Sequence, residues 1–150
     1  MTLPEPLFRF INPLVGLLLR SPIHTLLSAS VLLLRFTTRR THRTIALPLR
    51  YAATGDGLIC FTTDNAKWWK NFEDSRSVTA IVARRPIAGV ASASRVQVGA
   101  SLDELRCFLS RFPSDAHHHG VSVSSAGVPS EADLSQAPLH SIMLNIRVVP

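Results

Sequence analysis

The sequence predicts an α+β domain: an antiparallel barrel or sandwich with helices at its periphery. Three observations predict it. Short apolar runs of strand length recur at 31–36, 44–51, 58–63, 78–83, 89–98 and 140–149. Turn chemistry separates neighbouring runs, as at Asp56-Gly57 and around Arg84-Arg85-Pro86. Helical spacing appears only at a few places between the runs, so the strands do not alternate with helices as a parallel sheet requires. A chain of 150 residues with 46% hydrophobic and 17% charged residues suits one globular domain rather than a disordered segment.

The first element is an N-terminal helical segment over residues 1–29. From Ile11 to Leu34 the only strongly charged residue is Arg20, but Arg20-Ser21-Pro22 interrupts the run. Ser21 and Pro22 suit an N-cap and a first helical position, so two short helices are expected at 8–19 and 22–27 rather than one span. Glu5 and Pro13 argue against a signal peptide. Phe8, Ile11, Leu14, Val15, Leu18 and Leu19 share one helical face. That face either packs on the barrel or a partner subunit, or meets a membrane with Arg9 and Arg20 at anionic headgroups.

Residues 30–150 form the barrel domain. The run 31–36 enters a basic turn, Thr37-Thr38-Arg39-Arg40-Thr41-His42-Arg43, and the run 44–51 leaves it. Pro48 cannot donate to a ladder, which puts its strand at an edge, a bulge or a ligand. A short helix is expected over 66–72, capped by Asp64 or Asn65. A longer one is expected over 101–112, with Ser101 and Glu104 forming a capping box. Residues 113–129 read as loop, 130–136 as a short helix and 140–149 as the last strand.

The basic turn carries the strongest chemical signal. Three guanidiniums and several hydroxyls on one strand-to-strand connection make a site for an anion, because arginine offers a planar fork of donors to phosphate or carboxylate. Polar hairpin turns are also commonly just solvated, so the turn alone leaves both readings open. The net charge of +6 favours an acidic partner. Nucleic acid is excluded as the expected partner, since the few aromatics are not interleaved with the basic residues as a stacking platform requires. Cys60 and Cys107 have neither metal nor CxxC spacing; Cys60 alternates along an apolar strand and suits a buried free thiol, and a reducing cytoplasm fits best. His117-His118-His119 lacks a spaced carboxylate or cysteine, so no metal is expected.

Several motifs then fall in one order: Phe10-Ile11-Asn12-Pro13, Ser21-Pro22-Ile23-His24, the basic turn, Leu47-Pro48-Leu49 with Tyr51, and Trp68-Trp69-Lys70-Asn71. The chain resembles the deazaflavin-dependent nitroreductase family of the flavin/deazaflavin oxidoreductase superfamily from about Phe8 to Pro150. The resemblance implies a split β-barrel of the FMN-binding-like kind. It implies that Thr37, Arg39, Arg40, Thr41 and Arg43 hold the phosphate and tail of the deazaflavin coenzyme (F-420), with Arg39 and Arg40 as the phosphate pair. It implies that Pro48, Trp68 and Asn71 lie beside the ring system. A tryptophan face can stack on a flat tricycle, and an asparagine amide can bond its polar edge.

The implied activity is hydride transfer from the reduced coenzyme to an electron-poor acceptor: a quinone, nitroaromatic or enone. No catalytic side chain is required, because the coenzyme carries the chemistry. Water, His42 or Tyr51 could supply a proton. The alternatives are an FMN-binding sibling and a non-enzymatic protein with a degenerate loop. The resemblance also implies pairing as a homodimer. The location implied is the cytoplasm, or the inner face of the cell membrane if the N-terminal face meets lipid. The chain departs from the family where Thr38 and His42 replace glycines. If Thr38 must adopt a left-handed backbone, the strain is about 1–2 kcal/mol. The expectation is a loop that keeps its charge and changes its path.

Overall fold

In a computed structural model of the chain, residues 30–149 are described. The predicted helices at 8–19 and 22–27, and the face proposed for packing or membrane contact, lie outside the described residues.

Among the described residues seven strands form one antiparallel sheet: β1 (Val31–Thr37), β2 (Thr44–Arg50), β3 (Ala52–Ala53), β4 (Gly57–Thr63), β5 (Arg76–Val82), β6 (Arg85–Arg95) and β7 (Ser141–Val148). The sheet order is β2-β1-β5-β6-β7-β4-β3. β2 and β3 are successive in the chain with Tyr51 alone between them, yet they stand at opposite ends of that order. One residue can join two ends of a sheet only if the sheet curls until its edges meet. The result is a split barrel, closed by one interrupted strand, and the α+β antiparallel class expected from the sequence.

Register follows from side-chain alternation. Leu32, Leu34 and Phe36 stand opposite Leu49, Leu47 and Ile45, and Cys60 stands opposite Leu144. These residues, with Leu58, Val78, Ala80, Ala91 and Ile146, fill the interior. Each buried leucine or isoleucine contributes about 1.5–3 kcal/mol, so a one-residue slip of any strand would cost several such contributions. Gly57 lets β4 approach β7 closely, since a Cβ there would lie 1.9 Å from the Ile146 carbonyl oxygen. The fully buried Phe72 closes one mouth of the barrel, with half-buried Trp68 packed beside it.

A second layer covers the outer face of β4 and β7. It comprises α1 (Ala100–Arg111), the 3-10 helix Pro113–His119, α2 (Glu131–Leu134) and the 3-10 turn Ala137–Leu139. Leu105, Phe108, Leu109, Phe112 and Leu134 pack there against Phe61 and Met143, which face outward by alternation. Phe61 and Phe108 meet edge to face at 5.0 Å.

Several local expectations are corrected. The expected helix over 66–72 is the 3-10 helix Lys67–Phe72, and neither Asp64 nor Asn65 caps it. The Asp64 carboxylate lies instead 3.4 Å from Arg95. The capping box of Ser101 and Glu104 does not form. The Ser101 hydroxyl accepts from Gln97 N–H at 2.7 Å and donates to its carbonyl, while Gly99 at φ 118 precedes α1. Residues 113–129 are not all loop, because Pro113–His119 is helical. The strand expected over 89–98 is β6, and it starts earlier. Pro86 pairs opposite Ile81, and the turn is Ala83-Arg84, both at positive φ (51° and 67°).

Candidate functional site

The basic turn connects β1 to β2 at the mouth closed by Phe72. Thr38 organises it. The residue is 6% exposed, its N–H donates to the Arg43 carbonyl at 2.8 Å, and its carbonyl accepts from His42 N–H at 3.1 Å. Its Oγ1 lies 2.7 Å from Thr41 Oγ1 and accepts from Arg43 N–H at 3.1 Å. The left-handed residue in the loop is His42, at φ 54. The strain expected at Thr38 is therefore absent; Thr38 is the hub of the loop, and the backbone cost falls on a residue type that tolerates it better. The spacing of Thr38 and Thr41 by three residues is the one local signal of this role.

Asn71 ties this loop to the 3-10 helix Lys67–Phe72. Its Oδ1 accepts from Arg39 N–H at 2.8 Å, and its Nδ2 donates to the Trp68 carbonyl at 2.8 Å. Arg76 Nη1 donates to the Thr37 carbonyl at 2.9 Å, which fixes the end of β1. Arg39, Arg40, Thr41 and Arg43 are exposed. The loop's bonds leave the N–H groups of Arg40 and Thr41 without a protein acceptor among the described residues. Arg39 Nη1 lies 3.8 Å from Asp74, but Asp74 is 92% exposed, so this pair holds the guanidinium weakly. On the loop and the segments bonded to it, Arg39, Arg40, Arg43 and Arg76 outnumber the carboxylates Glu73 and Asp74, so the turn carries net positive charge.

The structure gathers Thr37, Arg39, Arg40, Thr41, Arg43, Trp68 and Asn71 at this mouth. It does not gather Pro48. That residue lies mid-strand in β2, opposite Leu33, about 13 Å along the strand from Thr44 at about 3.3 Å per residue. Leu47 and Leu49 point into the barrel, so Pro48 faces out, whereas Trp68 packs on the interior cluster. β2 leads the sheet order, which gives the proline an edge strand, where its missing donor is tolerated.

Away from the loop, the three successive histidines divide. His117 and His118 stay exposed, with ring centroids 3.9 Å apart. His119 is 3% exposed, and its Nδ1 lies 2.8 Å from the Oγ of the fully buried Ser141. His140 Nε2–H donates to the His119 carbonyl at 2.6 Å. Burial, reinforced by His140 and His118, lowers the His119 pKa to about 4, so the ring is neutral at pH 7. Burial likewise pushes the Cys60 thiol well above its usual range. Among the described residues no group of three or more His, Cys, Asp or Glu side chains is placed to hold a metal ion. None of the helices among them is long and apolar enough to cross a membrane.

The fold and the loop define a class: a split antiparallel barrel that presents a tethered cationic turn at one mouth. No family model matches the chain, and no curated protein matches it either. Among solved structures, the chain is similar to the heme storage protein HutZ from Vibrio cholerae at 12% identity and a TM-score of 0.47, over 87% of this chain and 90% of that one.

Proposed function

We propose that the protein binds a phosphorylated, flat redox coenzyme of the deazaflavin class and serves as an oxidoreductase for an electron-poor acceptor. One observation carries this reading. The bond from Arg39 N–H to Asn71 Oδ1 brings the arginine loop and the tryptophan-bearing helix to one mouth of the barrel. The phosphate end fits the donor set: exposed guanidiniums of Arg39, Arg40 and Arg43 beside the N–H groups of Arg40 and Thr41. Each charge-assisted bond is worth about 1.5–3 kcal/mol before solvent screening. Trp68 offers a partly exposed indole at the same mouth, while Pro48 enters only through the family resemblance.

When bound, the coenzyme supplies the hydride. The chain's residues do the rest. The arginines anchor the phosphorylated end, Thr38 and Asn71 hold the loop in place, and Trp68 with Phe72 closes the mouth against water. Calorimetric titration with the deazaflavin coenzyme beside FMN tests the proposal. Tight, selective deazaflavin binding supports it. FMN preference transfers the assignment to a flavin sibling, and failure to bind either cofactor rejects the redox role.

A second reading has an observation of its own. Each end of the Asn71 amide already makes one bond within the protein, which fixes its orientation and leaves one lone pair and one N–H for a ring edge. Pro48, also expected beside the ring system, is not gathered at this mouth. Its absence there favours an anion-binding protein without redox chemistry. Inorganic pyrophosphate binding as tightly as the coenzyme would select it.

A further inference from the structure

The loop and the closing helix are joined in a circuit. Phe36, near the end of β1, meets Phe72 edge to face at 4.8 Å. Phe72 meets Trp68 at 6.2 Å with the rings inclined at 77°. The Trp68 carbonyl accepts from Asn71, and Asn71 accepts from Arg39, which lies three residues beyond Phe36. The loop is therefore pinned at one side by a buried aromatic pair. At the other it is held by one planar amide with a bond at each end. The remaining tie on Arg39, to exposed Asp74 at 3.8 Å, is weak enough for an anion to replace.

We propose that Asn71 is a positioning residue that couples the anion loop to Trp68. A phosphate-bearing ligand taken by the arginines shifts the Arg39 peptide, and the amide passes that shift to the Trp68 peptide and its indole. The proposal rests on the anion-loop reading above and adds to it a route by which occupancy reaches the mouth of the barrel. The hydrogen bond spans 32 residues of sequence, so it links two elements that nothing local holds together. It also gives Asn71, beyond contact with a ring, control of the loop that anchors the phosphate.

The test uses the full chain labelled with 5-fluorotryptophan, whose two resonances are assigned with Trp68→Phe. Inorganic pyrophosphate is titrated in parallel by calorimetry and by fluorine NMR. The parent should bind it, and the Trp68 resonance should shift with the calorimetric midpoint. Asn71→Ala should bind about fivefold more weakly, the equivalent of one hydrogen bond. It should also lose amide-exchange protection at Arg39 N–H and the Trp68 shift. Asn71→Asp keeps an acceptor for Arg39 but no donor for Trp68. It should retain the Arg39 protection and, at saturating pyrophosphate, still lose the shift. Calorimetric binding by the parent with an unmoved Trp68 resonance overturns the coupling and leaves the anion site standing. An Asn71→Ala protein with full affinity and full shift overturns it as well. Absence of pyrophosphate binding in the parent overturns the anion site and the coupling together.

Discussion

Placing glycine at positions 38 and 42 should move stability in opposite directions. Thr38 is buried, and its hydroxyl joins Thr41 Oγ1 and Arg43 N–H. Removing two neutral hydrogen bonds costs about 1 kcal/mol each. Losing the buried methyl adds about 0.8 kcal/mol, and the freer backbone of glycine adds about 0.5–1. Thr38→Gly should therefore destabilise the fold by about 2–4 kcal/mol, with part of the loss recovered by relaxation of the loop. Thr38→Val keeps the shape and should cost about 2 kcal/mol, while Thr38→Ser keeps the oxygen and should cost about 1. His42→Gly relieves the residue at φ 54 and should be neutral or stabilising by up to about 1 kcal/mol. Urea unfolding followed by tryptophan fluorescence reads all four. With a slope of about 2 kcal/mol per molar, Thr38→Gly should lower the midpoint by about 1–2 M. A Thr38→Gly protein as stable as the parent, or a His42→Gly protein clearly less stable, would refute the assignment of Thr38 as the hub.

His119 should make the fold sensitive to acid. Its folded pKa of about 4 lies below the ordinary 6.5, so its contribution is full above pH 6.5 and is lost as pH falls toward 4. The loss should reach about 3 kcal/mol, and NMR should find the ring still neutral at pH 5; a ring protonated at that pH contradicts its burial. In native protein a disulfide exchange reagent should label exposed Cys107 quickly and spare buried Cys60, whose thiol is held protonated. Rapid labelling of both would show an open barrel. In the β5–β6 turn, Ala83→Asn should stabilise by about 0.5–1 kcal/mol, because asparagine suits a left-handed first position better than alanine does. An unfolding midpoint that falls would contradict that turn geometry.

Much of the barrel is legible because apolar runs bounded by turns are local. Val31–Thr37 and Gly57–Thr63 read as strands, and the structure places their starts and ends within a residue of expectation. Their inward face is not written in them, since Leu32, Leu33 and Leu34 are all buried, as are Leu58, Ile59 and Cys60. Closure was not legible. That Thr44–Arg50 and Ala52–Ala53 sit at opposite ends of one sheet is a fact of pairing between distant strands. Caps failed for a related reason. Ser101 and Glu104 match the capping pattern, but Gln97 takes the hydroxyl first. At the site, the arginines could be read directly from composition of the turn. The role of Thr38 could not, because threonine in place of glycine suggests strain until the φ angles show that His42 bears it. The resemblance implies a ring partner for Asn71, whereas its bond to Arg39 across 32 residues leaves no trace in local spacing. The division of His117 and His118 from buried His119 likewise depends on where Ser141 lies, far along the chain.

The most direct measurement is a calorimetric titration of the deazaflavin coenzyme into the parent and into the Arg39→Ala, Arg40→Ala double variant. Both side chains are exposed, so the fold should survive, as circular dichroism will check. Removing two charge-assisted hydrogen bonds to the phosphate, even after screening, corresponds to at least about 1.4 kcal/mol, or tenfold in affinity. Binding by the parent that weakens at least tenfold in the double variant is the predicted result. Equal affinity in the two proteins would contradict the assignment of the tethered turn as the phosphate site.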